Sequence, residues 1–225
     1  MTRTIPTLNE VLSRLDALAD PAVKASQGRF VIRVDKSLGI SLYTLRELAK
    51  GIKDHALAHG LWETGIHEAR LLAAMVEEVS LVTREQCERW VLDFNSWDIC
   101  DNVTDDVFIY TPFALELITT WATREEEFVK RAAFAMIAEI TIHRKDIPDN
   151  LFVDLYPLMV DAAVDERNYV KKAVSWALRN IAKNRPALRK SVRDLAENLL
   201  TSDSKSARWV AKDVLNELIR KFGED

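Results

Sequence analysis

The sequence predicts an all-α protein built from stacked antiparallel helix pairs. Three observations lead there: a scarcity of turn formers, helical periodicity along the whole chain, and a helix-pair unit that recurs about every 40 residues. Gly and Pro together number 12 of 225 residues, well below the roughly 12% of an average chain. That scarcity argues against a turn-rich β fold and against a long disordered linker. Hydrophobic residues at 48% and charged residues at 29% are ordinary for a globular protein, and the length is ample for a continuous core.

The helices are justified in order. Leu8, Val11, Leu12, Leu15 and Leu18 form one apolar stripe, and Leu42, Leu45, Leu48, Ala49 and Ile52 a second. Ser41 is positioned to cap the second helix, with Glu47 in the following turns. Further helical segments run at about 63–80, 83–95, 97–109, 112–122, 124–143, 149–164, 167–184, 187–200 and 203–222, joined by short connections such as 123–124 and 146–148. Only Phe30 to Val34 resembles a strand, and it is too short to decide.

The later helices repeat. EFVKRAAFAMIAEI (127–140) aligns with NYVKKAVSWALRNI (168–181) at an offset of 41, and KSARWVAKDVLNEL (205–218) follows at 37; IHEARLLAAMVEEV (66–79) is similar to all three. Each carries a basic residue near its start and an Ala-rich face that permits close helix approach. Two helices per unit of about 40 residues is the pattern of HEAT-like repeats, because one helix pair cannot bury its own apolar face whereas a stack can. The expected architecture is a single HEAT-like repeat domain over residues 1–225, a curved solenoid with a concave basic groove. A non-repetitive helical bundle is the alternative.

Charge supports the groove. Overall the net charge is −4, but from Arg167 to Lys221 there are 14 Lys and Arg against 5 Asp and Glu, a local +9 that leaves −13 elsewhere. Such asymmetry suits one basic surface on an acidic body; solvated helix faces would also produce it. No apolar run approaches the roughly 18 residues of a membrane span, and the first residues show no signal-peptide pattern. Cys87 and Cys100 offer neither a disulfide framework nor zinc spacing, so a reducing cytoplasm is expected. Both read as small core residues.

One segment has the residues for chemistry. If Ser96 caps a helix, Trp97 and Asp101 lie one turn apart on the same face. An indole beside a carboxylate suits a cationic ligand. The competing reading packs Trp97 in the core and lets Asp98 and Asp101 serve the helix N-terminus. His55, His59 and Glu63 at i, i+4, i+8 bring possible metal ligands to one helix face, but drift along the helix and the lack of a further ligand speak against a site. Glu125, Glu126 and Glu127 read as dipole-stabilising residues at a helix start.

Four stretches resemble the DNA alkylation repair family of HEAT-like alkylpurine DNA glycosylases, the AlkD type. Leu38-Gly39-Ile40 with Leu45 to Lys50 resembles its early helix, and Leu61-Trp62-Glu63 with His67-Glu68-Ala69-Arg70 its next repeat. Ser96-Trp97-Asp98-Ile99-Cys100-Asp101 resembles its Trp-Asp-x-x-Asp motif. Phe128 to Ala133 and Tyr169 to Arg179 resemble two later repeats. Each is weak alone; the ordered set, over about residues 30 to 186, is specific.

The resemblance implies a catalytic Asp at Asp101, an active-site Trp at Trp97, a second aromatic wall at Trp176, and a hold on the DNA backbone at Arg131. Lys130, Lys171, Lys172 and Arg179, continued by Arg208 and Lys212, would neutralise phosphates without reading sequence. The implied substrate is double-stranded DNA carrying N3- or N7-alkylated purines. Such a base is already cationic and leaves neutral, so no general acid is needed; a carboxylate near the oxocarbenium-like sugar is worth about 3–4 kcal/mol. The motif carries no cofactor or metal signature, and the family's mode does not require a deep base-flipping pocket. A cytoplasmic monomer without membrane contact, nucleoid-associated when bound to DNA, is expected. Phe128 stands where many relatives have Trp, Phe30 where some have Tyr, and Ser41 near a Gln of some members; the last 40 residues match less well. The alternative is a catalytically idle repeat protein that binds DNA or acts as a scaffold.

Overall fold

The computed structural model describes residues 5–27 and 36–223. Phe30 and the strand-like 30–34 stretch lie outside the described residues. Regular structure among the described residues is helical throughout. It divides into two units, residues 1–111 and 112–225.

The first unit holds α1 (Leu8–Ala17), α2 (Pro21–Gln27), α3 (Leu42–Ala49), α4 (His55–Glu63), α5 (His67–Val76), α6 (Arg84–Leu92) and α7 (Trp97–Asp106). A reciprocal capping box starts α1: Thr7 Oγ1 accepts from the Glu10 amide at 3.3 Å, and the Glu10 carboxylate accepts from the Thr7 amide at 2.7 Å. Val11 and Leu15 of the expected stripe are buried, whereas Leu18 is its exposed C-cap. Ser41 caps α3 as expected, accepting from the Thr44 amide at 3.2 Å. The segment expected at 63–80 is interrupted: α4 ends at Glu63, Gly65 with its φ of +66° breaks the helix two residues on, and α5 starts at His67. α5 is the centre of this unit. It packs against α3, α4 and α7, and every one of its residues except Arg70 is buried.

The second unit holds α8 (Ala114–Trp121), α9 (Glu127–His143), α10 (Asp149–Asp154), α11 (Tyr156–Ala163), α12 (Asn168–Asn184), α13 (Arg189–Leu200) and α14 (Lys205–Phe222). The segment expected at 149–164 splits at Leu155 because Pro157, in the first turn of α11, has no amide to continue the preceding helix. The repeat is visible in the geometry. α9 and α12 have 17 residues each and begin 41 apart, and each ends on an arginine with ψ near 80°, Arg144 and Arg185. α12 packs along both α9 and α14. Ala132, Ala133, Ala135, Ala138, Ala173, Ala177, Ala207 and Ala211 are fully buried, which lets the helix backbones approach and turns three amphipathic faces into one core.

The turns preceding the repeat helices also correspond. Arg124 grips Glu126 in a two-pronged ion pair before α9, with contacts of 3.0 and 2.5 Å. At the equivalent positions before α12, Asp165 and Arg167 form the same fork with the charges exchanged, at 2.9 and 2.6 Å. Arg167 further donates to the Glu125 carbonyl, and Ser206 Oγ at the start of α14 donates to the Asp165 carbonyl at 2.6 Å. Successive repeats are therefore stitched through their pre-helix turns. Glu126, expected only to serve the helix dipole, is the N-cap of α9, and the Arg124 hydrogen bonds hold its pKa at about 2.

Candidate active site and DNA-binding face

In the first unit, Trp97 and Asp101 occupy one face of α7, four residues apart, and both are half-buried. Trp97 is thus neither a core residue nor freely exposed. What sets this helix start differs from the expected serine cap. Ser96 stands at the N-cap position, yet its hydroxyl accepts no amide; it donates to Asp98 Oδ1 at 2.6 Å. Asp98 takes over the role. The residue is 6% exposed, and its other carboxylate oxygen accepts from His67 Nε2 at 2.8 Å. Burial alone would push this acid up. The His67 hydrogen bond and charge, the Ser96 hydroxyl and the Ile99 amide outweigh that and leave its pKa below the ordinary carboxylate value. A buried chain of Ser96, Asp98 and His67 therefore fixes the first turn of α7, which carries Trp97 and leads one turn on to Asp101.

His67 belongs to a hub at the start of α5. Its neighbour Glu68, wholly buried, accepts from Ser37 Oγ (2.8 Å) and from the amides of Leu38 (2.7 Å), Gly39 (2.8 Å) and Ile40 (3.3 Å). Burial opposes the charge and these donors overcome it, so the Glu68 pKa also lies low. Gly39 sits at φ +79°, and a Cβ there would stand 2.2 Å from the Asp20 carbonyl oxygen, so only glycine fits this loop. Arg70 completes the hub, with its guanidinium 5.1 Å from the Trp62 ring and bonded to Asp93 at 3.1 Å. Three side chains of one four-residue motif, His67, Glu68 and Arg70, thus reach the Ser96–Asp101 segment, the 37–40 loop and Trp62. His67 and Glu68 were not identified as supporting residues from sequence, because partners some thirty residues apart leave no local pattern.

The second unit carries the basic residues. On α12, Lys172, Trp176 and Arg179 follow the helical i, i+4, i+7 spacing, extended by Tyr169 and Lys183; Lys172 and Lys183 are exposed and the other three half-buried. Tyr169 and Lys183 were missed from sequence. Tyr169 had a readable signal, since it occupies the repeat position of Phe128, and the two rings now lie 5.2 Å apart. Several of the cations also serve the fold. Arg131 is 6% exposed, donates to the Tyr169 carbonyl at 2.9 Å, and lies 5.9 Å from the Tyr169 ring. Lys130 pairs with Asp165 at 3.5 Å, Arg179 with Asp213 at 3.3 Å, and Lys171 lies 5.4 Å from the Trp209 ring. Arg208 donates to the Ser202 carbonyl at 2.6 Å, and Lys212 is exposed.

The six tryptophans sort by role. Trp62, Trp90 and Trp121 are buried, whereas Trp97, Trp176 and Trp209 reach the surface, each on a helix carrying a candidate site or basic residue. Cys87 and Cys100 are core residues. Burial pushes the Cys87 thiol up to about 12, so it is no nucleophile.

A family model described as DNA alkylation repair enzyme matches residues 11–192. The chain belongs to this family. The DNA alkylation repair match covers both units and includes every candidate site residue except Arg208 and Lys212. A solved structure described as "A new family of proteins related to the HEAT-like repeat DNA glycosylases with affinity for branched DNA structures" is 17% identical, with a TM-score of 0.78 over 94% of this chain and 95% of that one. At that identity the likeness establishes the fold, which is the HEAT-like helical-repeat fold read from the sequence. A designed armadillo repeat protein matches more distantly, at 17% identity and a TM-score of 0.37 over 78% of this chain and 90% of the other. No curated protein matches the sequence. No helix among the described residues is long and apolar enough to cross a membrane.

Proposed function

We propose that this DNA alkylation repair protein is a glycosylase that removes cationic N3- or N7-alkylated purines from double-stranded DNA. The observation that carries the reading is the Trp97–Asp101 pair on one accessible face of α7, anchored from beneath by the buried Ser96–Asp98–His67 chain. In the proposed reaction the damaged base departs with the electrons of its glycosidic bond and becomes neutral, leaving positive charge on the sugar. The Asp101 carboxylate stabilises that charge and orients the attacking water. The Trp97 ring faces the cationic nucleotide, a contact worth on the order of 1–2 kcal/mol once desolvated. Rigid support matters because electrostatic stabilisation requires the carboxylate to be in place before charge develops.

The second unit then binds backbone. Lys172, Trp176, Arg179 and Lys183 along α12 combine cations for phosphates with aromatic surface for the sugar or base. Lys130, Lys171 and Arg131 are proposed to act beside them, with part of their charge already committed to the fold. The protein is proposed to work as a monomer.

The test is single-turnover release of base from a duplex containing N7-methylguanine. Wild-type protein should release it, and Asp101→Asn should do so about 10²–10³ times more slowly with little change in DNA affinity. A second reading follows from the structural relative, whose description names affinity for branched DNA: structure-selective DNA binding without excision. Absence of base release together with tighter binding to a four-way junction than to linear duplex would establish that reading instead.

A further inference from the structure

The first unit contains a second cluster of chemically active side chains that includes neither Trp97 nor Asp101. His55 and His59 stand four residues apart at the start of α4, a spacing that presents two imidazoles on one helix face. Their rings meet edge to face, with centroids 4.6 Å apart. Glu63, the third residue of the i, i+4, i+8 series, does not join them. Glu77, the C-cap of α5, does: one atom of each of His55, His59 and Glu77 lies within 4.8 Å of the other two.

Glu77 is an uncommon group to find here. It is 0% exposed, and a carboxylate out of water is costly unless its charge is met. His55 Nδ1 lies 2.7 Å from Oε1, and Gln86 Nε2 donates to Oε2 at 2.7 Å. The nearby ammonium of Lys53 is bonded instead to the carbonyls of Met75 and Glu77, both at 3.1 Å. The carboxylate fixes the orientation of the Gln86 amide, since the amide nitrogen must face it. That leaves Gln86 Oε1, on a side chain only 1% exposed, without a hydrogen-bond donor. Beside the cluster, the His59 ring lies 6.0 Å from that of Trp90, which stacks on Trp62 at 4.1 Å.

We propose that His55, His59 and Glu77 form a binding site for a divalent transition metal of the zinc class. Two imidazoles and one carboxylate are the ligands such ions favour over magnesium or calcium, which prefer oxygen. Metal bonds of about 2.0–2.2 Å require the three ligand atoms to close somewhat from their present spacing. Rotation of the half-buried His59 ring supplies that movement. A water in the remaining coordination position would donate to Gln86 Oε1. The ion would neutralise the buried carboxylate and tie the start of α4 to the end of α5, serving as a staple rather than a reaction centre.

The experiment needs no DNA. Full-length protein, treated with chelator and dialysed, is titrated with Co(II) while visible absorption and tryptophan fluorescence are followed. One Co(II) per chain should bind, quench the Trp62–Trp90 emission and be displaced by Zn(II); Zn(II) should also raise the melting temperature. His59→Ala and Glu77→Gln should each weaken binding at least about tenfold, while Glu63→Gln should bind as wild type. His59 is held by ring contacts, so His59→Ala keeps the test open if Glu77→Gln fails to fold. Absence of saturable binding, or undiminished binding and quenching in folded His59→Ala, overturns the proposal.

Discussion

Asp98 and Asp101 lie three residues apart in one motif and have different environments. Asp101 is half-buried on the face it shares with Trp97, whereas Asp98 is buried against His67 and Ser96. A simple helix-capping role for Asp98 would make Asp98→Asn nearly harmless, and its burial changes that expectation. The substitution should cost about 1.5–3 kcal/mol, the range for a hydrogen bond to a charged group, and lower the melting temperature accordingly. Asp101→Asn should instead leave the melting curve in place and remove rate. Early melting of Asp101→Asn would make it a structural residue. The acid limb carries the same signature. The folded-state pKa of Asp98 is depressed, so its stabilisation is complete above the unfolded value of about 3.9 and disappears as pH falls through the lower folded value. The stability gap between wild type and Asp98→Asn should therefore be largest near neutrality and shrink in acid. Arg131 has a comparable ambiguity. Arg131→Ala removes a buried charged hydrogen bond to the Tyr169 carbonyl and should cost about 1–3 kcal/mol of stability. If Arg131 also touches phosphate, the variant weakens binding to all sequences about equally; unchanged affinity in folded variant protein would remove that role.

At the scale of the elements, close helix approach in the second unit depends on alanine. Ala177 is fully buried on α12, where the chain packs along both α9 and α14. Ala177→Leu should destabilise by about 1–3 kcal/mol through overpacking, measured by denaturant unfolding, although leucine is a good helix former and the helix itself is not weakened. An unchanged unfolding midpoint would mean that the helices can separate at little cost. The forks before α9 and α12 explain how the repeat tolerates charge exchange. Arg124–Glu126 and Asp165–Arg167 need opposite charges two residues apart, and either order closes the turn. These residues precede the aligned stretches 127–140 and 168–181, and their charges invert at matching positions.

For the molecule as a whole, the +9 between Arg167 and Lys221 is the feature on which the proposed DNA binding most depends. Many of these cations are paired within the fold, among them Arg167, Arg179 and Arg185. The number of phosphates neutralised should therefore be smaller than the charge count suggests. Affinity for undamaged duplex should fall with salt on a log–log slope near −0.9 per phosphate, and Lys172→Ala and Lys183→Ala should each make that slope shallower by about one. Salt-independent affinity would remove the premise that this surface binds DNA.

The helical class, the repeat offset of 41 and the placement of Trp97 and Asp101 on one helix face were legible in the sequence, because helical periodicity and internal repetition are local in the chain. The split at Pro157 was also there to be read, and was missed because apolar periodicity continues through it. Only the tertiary structure decided that His67 supports Asp98, that Glu68 holds the Gly39 loop, that Arg131 is buried, and that Glu77 rather than Glu63 joins His55 and His59. Each of those outcomes pairs groups from different elements. A buried charge must find a partner wherever the packed helices bring one within reach, and packing, not spacing along the chain, sets which partner that is.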